Sequence, residues 1–186
     1  MFKELNIIGV FEINPEPKHD NRGYFMCTYD ESLFEQHGIK HDWVQENESF
    51  NERRGTLRGL HLQMPPNAQA KLIRIISGSA FFAFFDLRRN SPTFGEHGSS
   101  TLSFDNKKML FVPRGLALGM CTMEDKTILH YKMDNYYHPI NSTAIIWNDP
   151  DLNINWPTSK PSIISEQDKN ANSYKNFLRR FGALEY

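Results

Sequence analysis

Apolar and polar positions along this chain alternate in short runs with a period near two, and few stretches carry a helical stripe. Runs rich in β-branched and aromatic residues recur as NIIGVFEI, YFMCTYD, AKLIRIIS, SAFFAFFDLR, KMLFVP, TILHYKM and TAIIW. Clusters of turn formers separate them: PEPKHDNRG, MPPNAQ, RRNSPTFGEHG, FDNKK and YYHPINS. Short strands at that spacing predict an antiparallel sandwich or barrel rather than alternating β/α units. Two helices are expected. Asp30 caps ESLFEQH, which Gly38 ends, and Ser165 caps a C-terminal helix running to FLRRF. No repeat, linker or low-complexity segment divides the chain, so one domain over residues 1–186 is expected.

The two-residue period also assigns faces. In AKLIRIIS it sets Lys71, Ile73 and Ile75 against Leu72, Arg74 and Ile76. In TILHYKM, Leu129, Tyr131 and Met133 share one face while His130 and Lys132 take the other. If the more apolar faces line a barrel, a lysine and a tyrosine hydroxyl point into its interior.

Composition narrows the function. Fourteen Phe and 13% aromatic residues suit a sheet-rich core, and a formal net charge of -1 argues against nucleic acid or an anionic membrane as partner. The N-terminal apolar run is short and broken by Glu12, unlike a signal peptide, and no run is long enough to span a bilayer. Cys27 and Cys121 stand far apart without a CxxC pattern and read as free thiols. A soluble, cytoplasmic protein is expected.

The motifs for most cofactor chemistry are missing. Neither GxGxxG, GxxxxGK[ST] nor GxSxG occurs. His61 is followed two residues later by Gln63, and Lys71 would oppose a cation, so no metal is expected. What remains is the combination of Arg58, His61 and Lys71 within RGLHLQMPPNAQAKL. One reading is a strand histidine with charged neighbours on a solvated face. The other is a neutral imidazole acting as base beside fixed positive charge, which also stabilises a nearby oxyanion and suits proton abstraction α to a carbonyl.

Six blocks decide between these readings. DNRG (20–23), RGLHLQMPPNAQAKLIRIISG (58–78), DLRRNSPTFG (86–95), LFVPRGLALGM (110–120), YKMDNYYHP (131–139) and WNDPDLNINWP (147–157) resemble the dTDP-4-dehydrorhamnose 3,5-epimerase family in order and spacing, over residues 5–170. The resemblance implies an all-β, cupin-like jelly-roll barrel with a few short peripheral helices, a homodimer, and no metal or cofactor. It implies His61 as catalytic base, Asp168 as the carboxylate orienting it, Tyr131 as the acid on the opposite face, and Lys71 as the cation that holds an enolate. It further implies that Arg22, Gln45, Glu46, Asn47 and Arg58 bind a nucleotide sugar, with Tyr137 stacking on its base. Asp168 also has a plainer reading, as an acid favouring the helix start after Ser165.

Three positions depart from the family pattern. PRGLALGM carries Leu118 where the family has a pocket histidine, Cys27 replaces a common glutamate after the RG turn, and another glutamate is lost around Ser142. Base and acid are kept. The implied reaction is therefore epimerisation at C3, C5 or both of a nucleotide-linked 4-keto-6-deoxy sugar. The alternatives are a single-centre enzyme acting on a CDP- or GDP-linked sugar and a non-catalytic sugar-nucleotide-binding cupin.

Overall fold

The computed structural model of the protein describes residues 1–185. Strands β1 (Phe2–Glu4), β2 (Phe11–Ile13), β3 (Lys18–Asp20) and β4 (Gly23–Phe25) open the chain, and helix α1 (Glu31–Glu35) follows. Then come β5 (Gln45–Asn51), β6 (Thr56–Gln63), β7 (Lys71–Ser77), β8 (Ser79–Asp86), β9 (His97–Ser103), β10 (Met109–Val112), β11 (Leu116–Thr122) and β12 (Thr127–Met133). A single 3-10 turn (Pro139–Asn141) leads to β13 (Ser142–Ala144), β14 (Ile163–Ile164), α2 (Glu166–Lys169) and α3 (Tyr174–Phe181).

Two main sheets form the barrel. One has the order β1-β2-β10-β7-β12-β5 and the other β13-β6-β11-β8-β9, with β14 added parallel to β6. This is the all-β, jelly-roll arrangement that the strand spacing and the resemblance implied. The faces fall as the period of two assigned them. Ile73, Ile75 and Leu129 pack in the barrel with Phe82, Phe84 and Leu110, whereas Leu72 lies on the outer face with Phe34, Met109 and Phe111 under α1. A third cluster seals the outer face of the second sheet, where Leu60, Leu62, Phe85 and Ile145 meet Leu152 and Phe177. Asp86, fully buried at the end of β8, accepts bonds from Arg88, Ser91 and Thr93, so no charge is stranded there.

The helices differ from expectation at the C-terminus. Asp30 caps α1 by accepting the Leu33 N–H, and Gly38 follows with φ of 77°. The single helix expected from Ser165 to Phe181 is two. Ser165 caps the four-residue α2, Asn172 then pairs with Ile145 as an isolated bridge, and Ser173 caps α3 anew. Two serine caps eight residues apart are the local signal, because each offers a hydroxyl to a new set of unpaired N–H groups. Among the described residues no helix is long and apolar enough to cross a membrane. Both cysteines are free, Cys27 exposed and Cys121 buried.

Candidate active site

A cavity of about 480 Å³ opens between the two sheets. Ile73, Phe82, Leu118, Met120 and Leu129 make its apolar lining, and Arg58, His61, Lys71, Tyr131, Ser49 and Glu48 its polar one. His61 stands on β6 in one sheet, Lys71 and Tyr131 on β7 and β12 in the other, so base and acid candidates face one space from opposite walls.

A strict period of two would put Arg58 and His61, three residues apart, on opposite faces of β6. The pairing of β6 with β11 resolves this. Leu118 is opposite His61 and Met120 opposite Arg58, two steps on one strand against three on the other. The additional residue on β6 is a bulge, and it turns both side chains toward the cavity. Gly59 sits in it with φ of 108°, and a Cβ there would lie 2.6 Å from the Leu118 carbonyl oxygen and 2.7 Å from the Gly119 Cα. Only glycine fits this turn.

The carboxylate beside His61 arrives from 107 residues downstream. Strand β14 pairs Ile163 with Thr56 and Ile164 with Leu57, which lays Ser165 and α2 against β6. His61 Nε2 and Asp168 Oδ1 lie 2.6 Å apart, and Asp168 Oδ2 accepts the Gly59 N–H at 3.3 Å. Burial alone would raise the Asp168 pKa, but the bonds from His61, Gly59 and Ser165 hold the carboxyl below the usual range. An ionised Asp168 accepts a proton-bearing Nε2, and Nδ1 then keeps its lone pair. The Asp168 N–H is itself capped by Ser165 Oγ at 3.1 Å while its carboxylate is turned to His61.

Lys71 is the unusual charge. It is partly buried in the cavity wall, and among the described residues no carboxylate lies within ion-pair distance of its ammonium. Loss of hydration pushes its pKa down to about 8. Its charge has no ion-pair partner among the described residues. Arg58 is steadied from the side, its Nε donating to Asn51 Oδ1 at 2.8 Å, while Asn51 in turn bonds the Thr127 carbonyl.

The remaining candidates divide. Asn47 is the register partner of Tyr131 and Gln45 that of Met133; Gln45 donates to Asn47 at 3.1 Å and accepts the Tyr137 N–H at 2.9 Å. A polar line therefore runs from Tyr131 to the exposed Tyr137 ring. Glu46 does not join it. The same period of two turns Glu46 to the outer face, where it pairs with His130 and Lys132. Arg22 is not at the cavity either. It lies at the tip of the β3–β4 hairpin, 86% exposed, and pairs with Asp20. Gln63, two residues after His61, donates to the carbonyls of Asn67 and Tyr136 and accepts the His138 N–H. No group of three or more His, Cys, Asp or Glu among the described residues could hold a metal ion.

Sequence reasoning missed Ser49, Phe82, Asn51 and Gly59. Gly59 had a signal, a glycine inside the strand pattern TLRGLHLQ, which marks a bulge. Asn51 and Ser49 lie in a polar run that carries no strand signal at all.

A histidine held by a carboxylate on one wall, facing a tyrosine hydroxyl and an unpaired lysine on the other, is an arrangement suited to moving protons, the chemistry of the isomerase class. The family model described as dTDP-4-dehydrorhamnose 3,5-epimerase matches residues 4–176. A dTDP-4-dehydrorhamnose 3,5-epimerase of Methanothermobacter thermautotrophicus is 42% identical over 171 residues, covering 91% of each chain. The crystal structure of the Bacillus anthracis enzyme with TDP and PPi bound superposes with a TM-score of 0.90 at 38% identity, over 93% of this chain and 98% of that one. The Legionella pneumophila dTDP-6-deoxy-D-glucose-3,5-epimerase in complex with dTDP-4-keto-L-rhamnose gives 0.92 at 32% identity, over 100% and 98%. The chain belongs to the dTDP-4-dehydrorhamnose 3,5-epimerase family.

Proposed function

We propose that this protein epimerises a dTDP-linked 4-keto-6-deoxy sugar at carbons flanking the ketone. The observation that carries the reading is the cavity itself, where the His61–Asp168 pair stands on one sheet and Tyr131 and Lys71 stand on the facing one. The C4 carbonyl acidifies the protons on C3 and C5. His61 Nδ1 takes one of them, and the C–H electrons move into the C3–C4 or C4–C5 bond as the carbonyl becomes an enolate. Lys71 stabilises that oxyanion, to which its own desolvated charge is complementary. Tyr131 then delivers its phenolic proton to the opposite face, and the centre is inverted. Protons and electrons balance without an oxidant, so no redox partner enters the scheme.

Arg58, with its Nε already engaged, offers its remaining N–H donors to the diphosphate. The line Asn47–Gln45–Tyr137 leads outward for the sugar and the base. Leu118, the register partner of His61, gives a specific reason to follow each centre separately. It offers no hydrogen bond, and a sugar hydroxyl buried against it would go unpaired at a cost of about 1–3 kcal/mol.

The enzyme works as a homodimer in the cytoplasm, in deoxysugar supply for polysaccharides such as O-antigen. An exposed free thiol at Cys27 suits a reducing compartment, and the exposed hairpin bearing Arg22 and Phe25 suits a partner's site. Incubation with dTDP-4-keto-6-deoxyglucose in heavy water tests the reading. Solvent deuterium is expected at C3, C5 or both with the native protein and at neither with His61→Ala. Absence of label with the native protein overturns the epimerase reading in favour of a sugar-nucleotide-binding module, and label at one carbon alone identifies a single-centre enzyme.

A further inference from the structure

A second His–Asp pair lies outside the cavity, and its surroundings give it a different use from the first. Asp134 directly follows β12, and only 1% of its side chain is exposed. Its Oδ2 lies 2.7 Å from His41 Nδ1 and accepts Arg114 Nε at 2.9 Å. Its Oδ1 accepts the Ala70 N–H at 2.7 Å. The His41 ring is not free to reach a substrate, for it packs against Trp43 and Phe111 at centroid distances of 5.6 and 5.3 Å. Arg114 comes from the turn between β10 and β11, and His41 from the segment entering β5. One carboxylate therefore ties together three segments that neighbouring strands of the sheet lead into.

Ala70 is the residue before Lys71, and Lys71 is the register partner of Met133, the residue before Asp134. The Asp134 N–H returns the contact by donating to the Ala70 carbonyl at 3.4 Å. Asp134 thus fastens the start of β7 to the end of the strand that carries Tyr131. The Lys71 ammonium has no ion-pair partner in the cavity, so nothing at its own tip sets its position. Its place relative to Tyr131 follows from where its backbone is held.

We propose that Asp134, steadied by His41 and Arg114, is a positioning residue that acts through Lys71, holding the lysine in register with Tyr131 so that its ammonium meets the developing oxyanion. This rests on the epimerase reading for its catalytic consequence, but the hold on Lys71 can be read without any substrate.

Asp134→Asn keeps an oxygen for the Ala70 N–H and turns an amide donor against Arg114 and His41, so the gathering loosens while the side chain keeps its size. With ¹³C-labelled lysine, the Lys71 resonance of the native protein should titrate near 8. In folded Asp134→Asn, a less firmly held β7 start admits water to the ammonium, and the midpoint is expected to rise toward the ordinary lysine value of about 10.4. With dTDP-4-keto-6-deoxyglucose, kcat should fall on the order of 10-fold, as expected for a misplaced catalytic group, with KM nearly unchanged. If Asp134→Asn does not fold, Arg114→Gln removes one leg from a side chain already 42% exposed and should move both quantities in the same directions by less. An unmoved Lys71 midpoint in a folded variant overturns the proposal, and so does an unchanged kcat in an enzyme shown to be active. No exchange in the native enzyme strikes the epimerase reading instead and leaves the hold on Lys71 to be judged by its midpoint.

Discussion

Lys71 is where stability and function pull apart most plainly. Its charge sits in the cavity wall with no carboxylate at ion-pair distance among the described residues, and desolvation has lowered its pKa to about 8. Below 8 the lysine is protonated in both the folded and the unfolded chain, so the full cost of enclosing that charge weighs on the fold. Between 8 and about 10.4 the unfolded chain binds more protons than the folded one, and the cost is relieved as pH rises. Lys71→Met should therefore be more resistant to urea than the native protein at pH 7, with the gap closing toward pH 10. A Lys71→Met protein that is less stable at pH 7 would show that the charge is satisfied by something else. Activity has the opposite dependence, since an uncharged amine cannot hold an oxyanion. The native rate should decline as pH rises through about 8, and Lys71→Arg should remove that decline.

At the scale of elements, the bulge in β6 determines whether there is a site. Lys71 and Tyr131 could be placed from sequence because the ladder of β7 and β12 keeps its period from Lys71 to Ile75 and from Leu129 to Met133, the irregularity at Ile76 lying beyond them. Arg58 and His61 could not be brought to one face that way, since the bulge breaks the period between them. Glu46 shows the converse: family resemblance offered it as a substrate ligand, while the plain alternation of β5 turns it outward to Lys132. Strands β5, β9 and β11 were hidden for a simpler reason. QENESFN and HGSSTLS are largely polar or small, and LALGMCT is apolar but poor in β-branched and aromatic residues, so partners in the sheet rather than their own propensity make them strands. Two segments that read as strands throughout, NIIGVFEI and YFMCTYD, keep only Phe11–Ile13 and the pair Tyr24 and Phe25 in ladders. Gly59→Ala tests the bulge. The Cβ would strike the backbone of β11 at a left-handed φ, costing roughly 1–3 kcal/mol in strain alone. A lower melting temperature and loss of exchange are expected together, and an active, fully stable Gly59→Ala would mean the bulge can be rebuilt without glycine.

At the scale of the whole molecule, β5 forms an edge of the six-stranded sheet, and the β3–β4 hairpin stands apart carrying Phe25 at 76% exposure beside Arg22. Exposed edges and apolar side chains of this kind are covered when two copies pair. Sedimentation at micromolar concentration should give twice the 21.7 kDa chain mass, and Arg22→Ala should raise KM with little effect on kcat if the hairpin reaches the partner's cavity. A monomer of full activity would contradict both expectations. The sequence disclosed the family through blocks spread over the chain, and the barrel shows why they are spread. Residues 58 to 168 meet in one cavity only because two sheets and a late parallel strand fold them together.

The central claim is that the two sheets bring a base and an acid to opposite faces of one sugar. Tyr131→Phe in heavy water, followed at each sugar carbon together with the configuration of the product, tests it most directly. His61 remains able to remove the proton and return a deuteron to the same face, so label should still enter while the inverted product falls by on the order of 10²–10⁴-fold. Inverted product formed by Tyr131→Phe at close to the native rate would contradict the account.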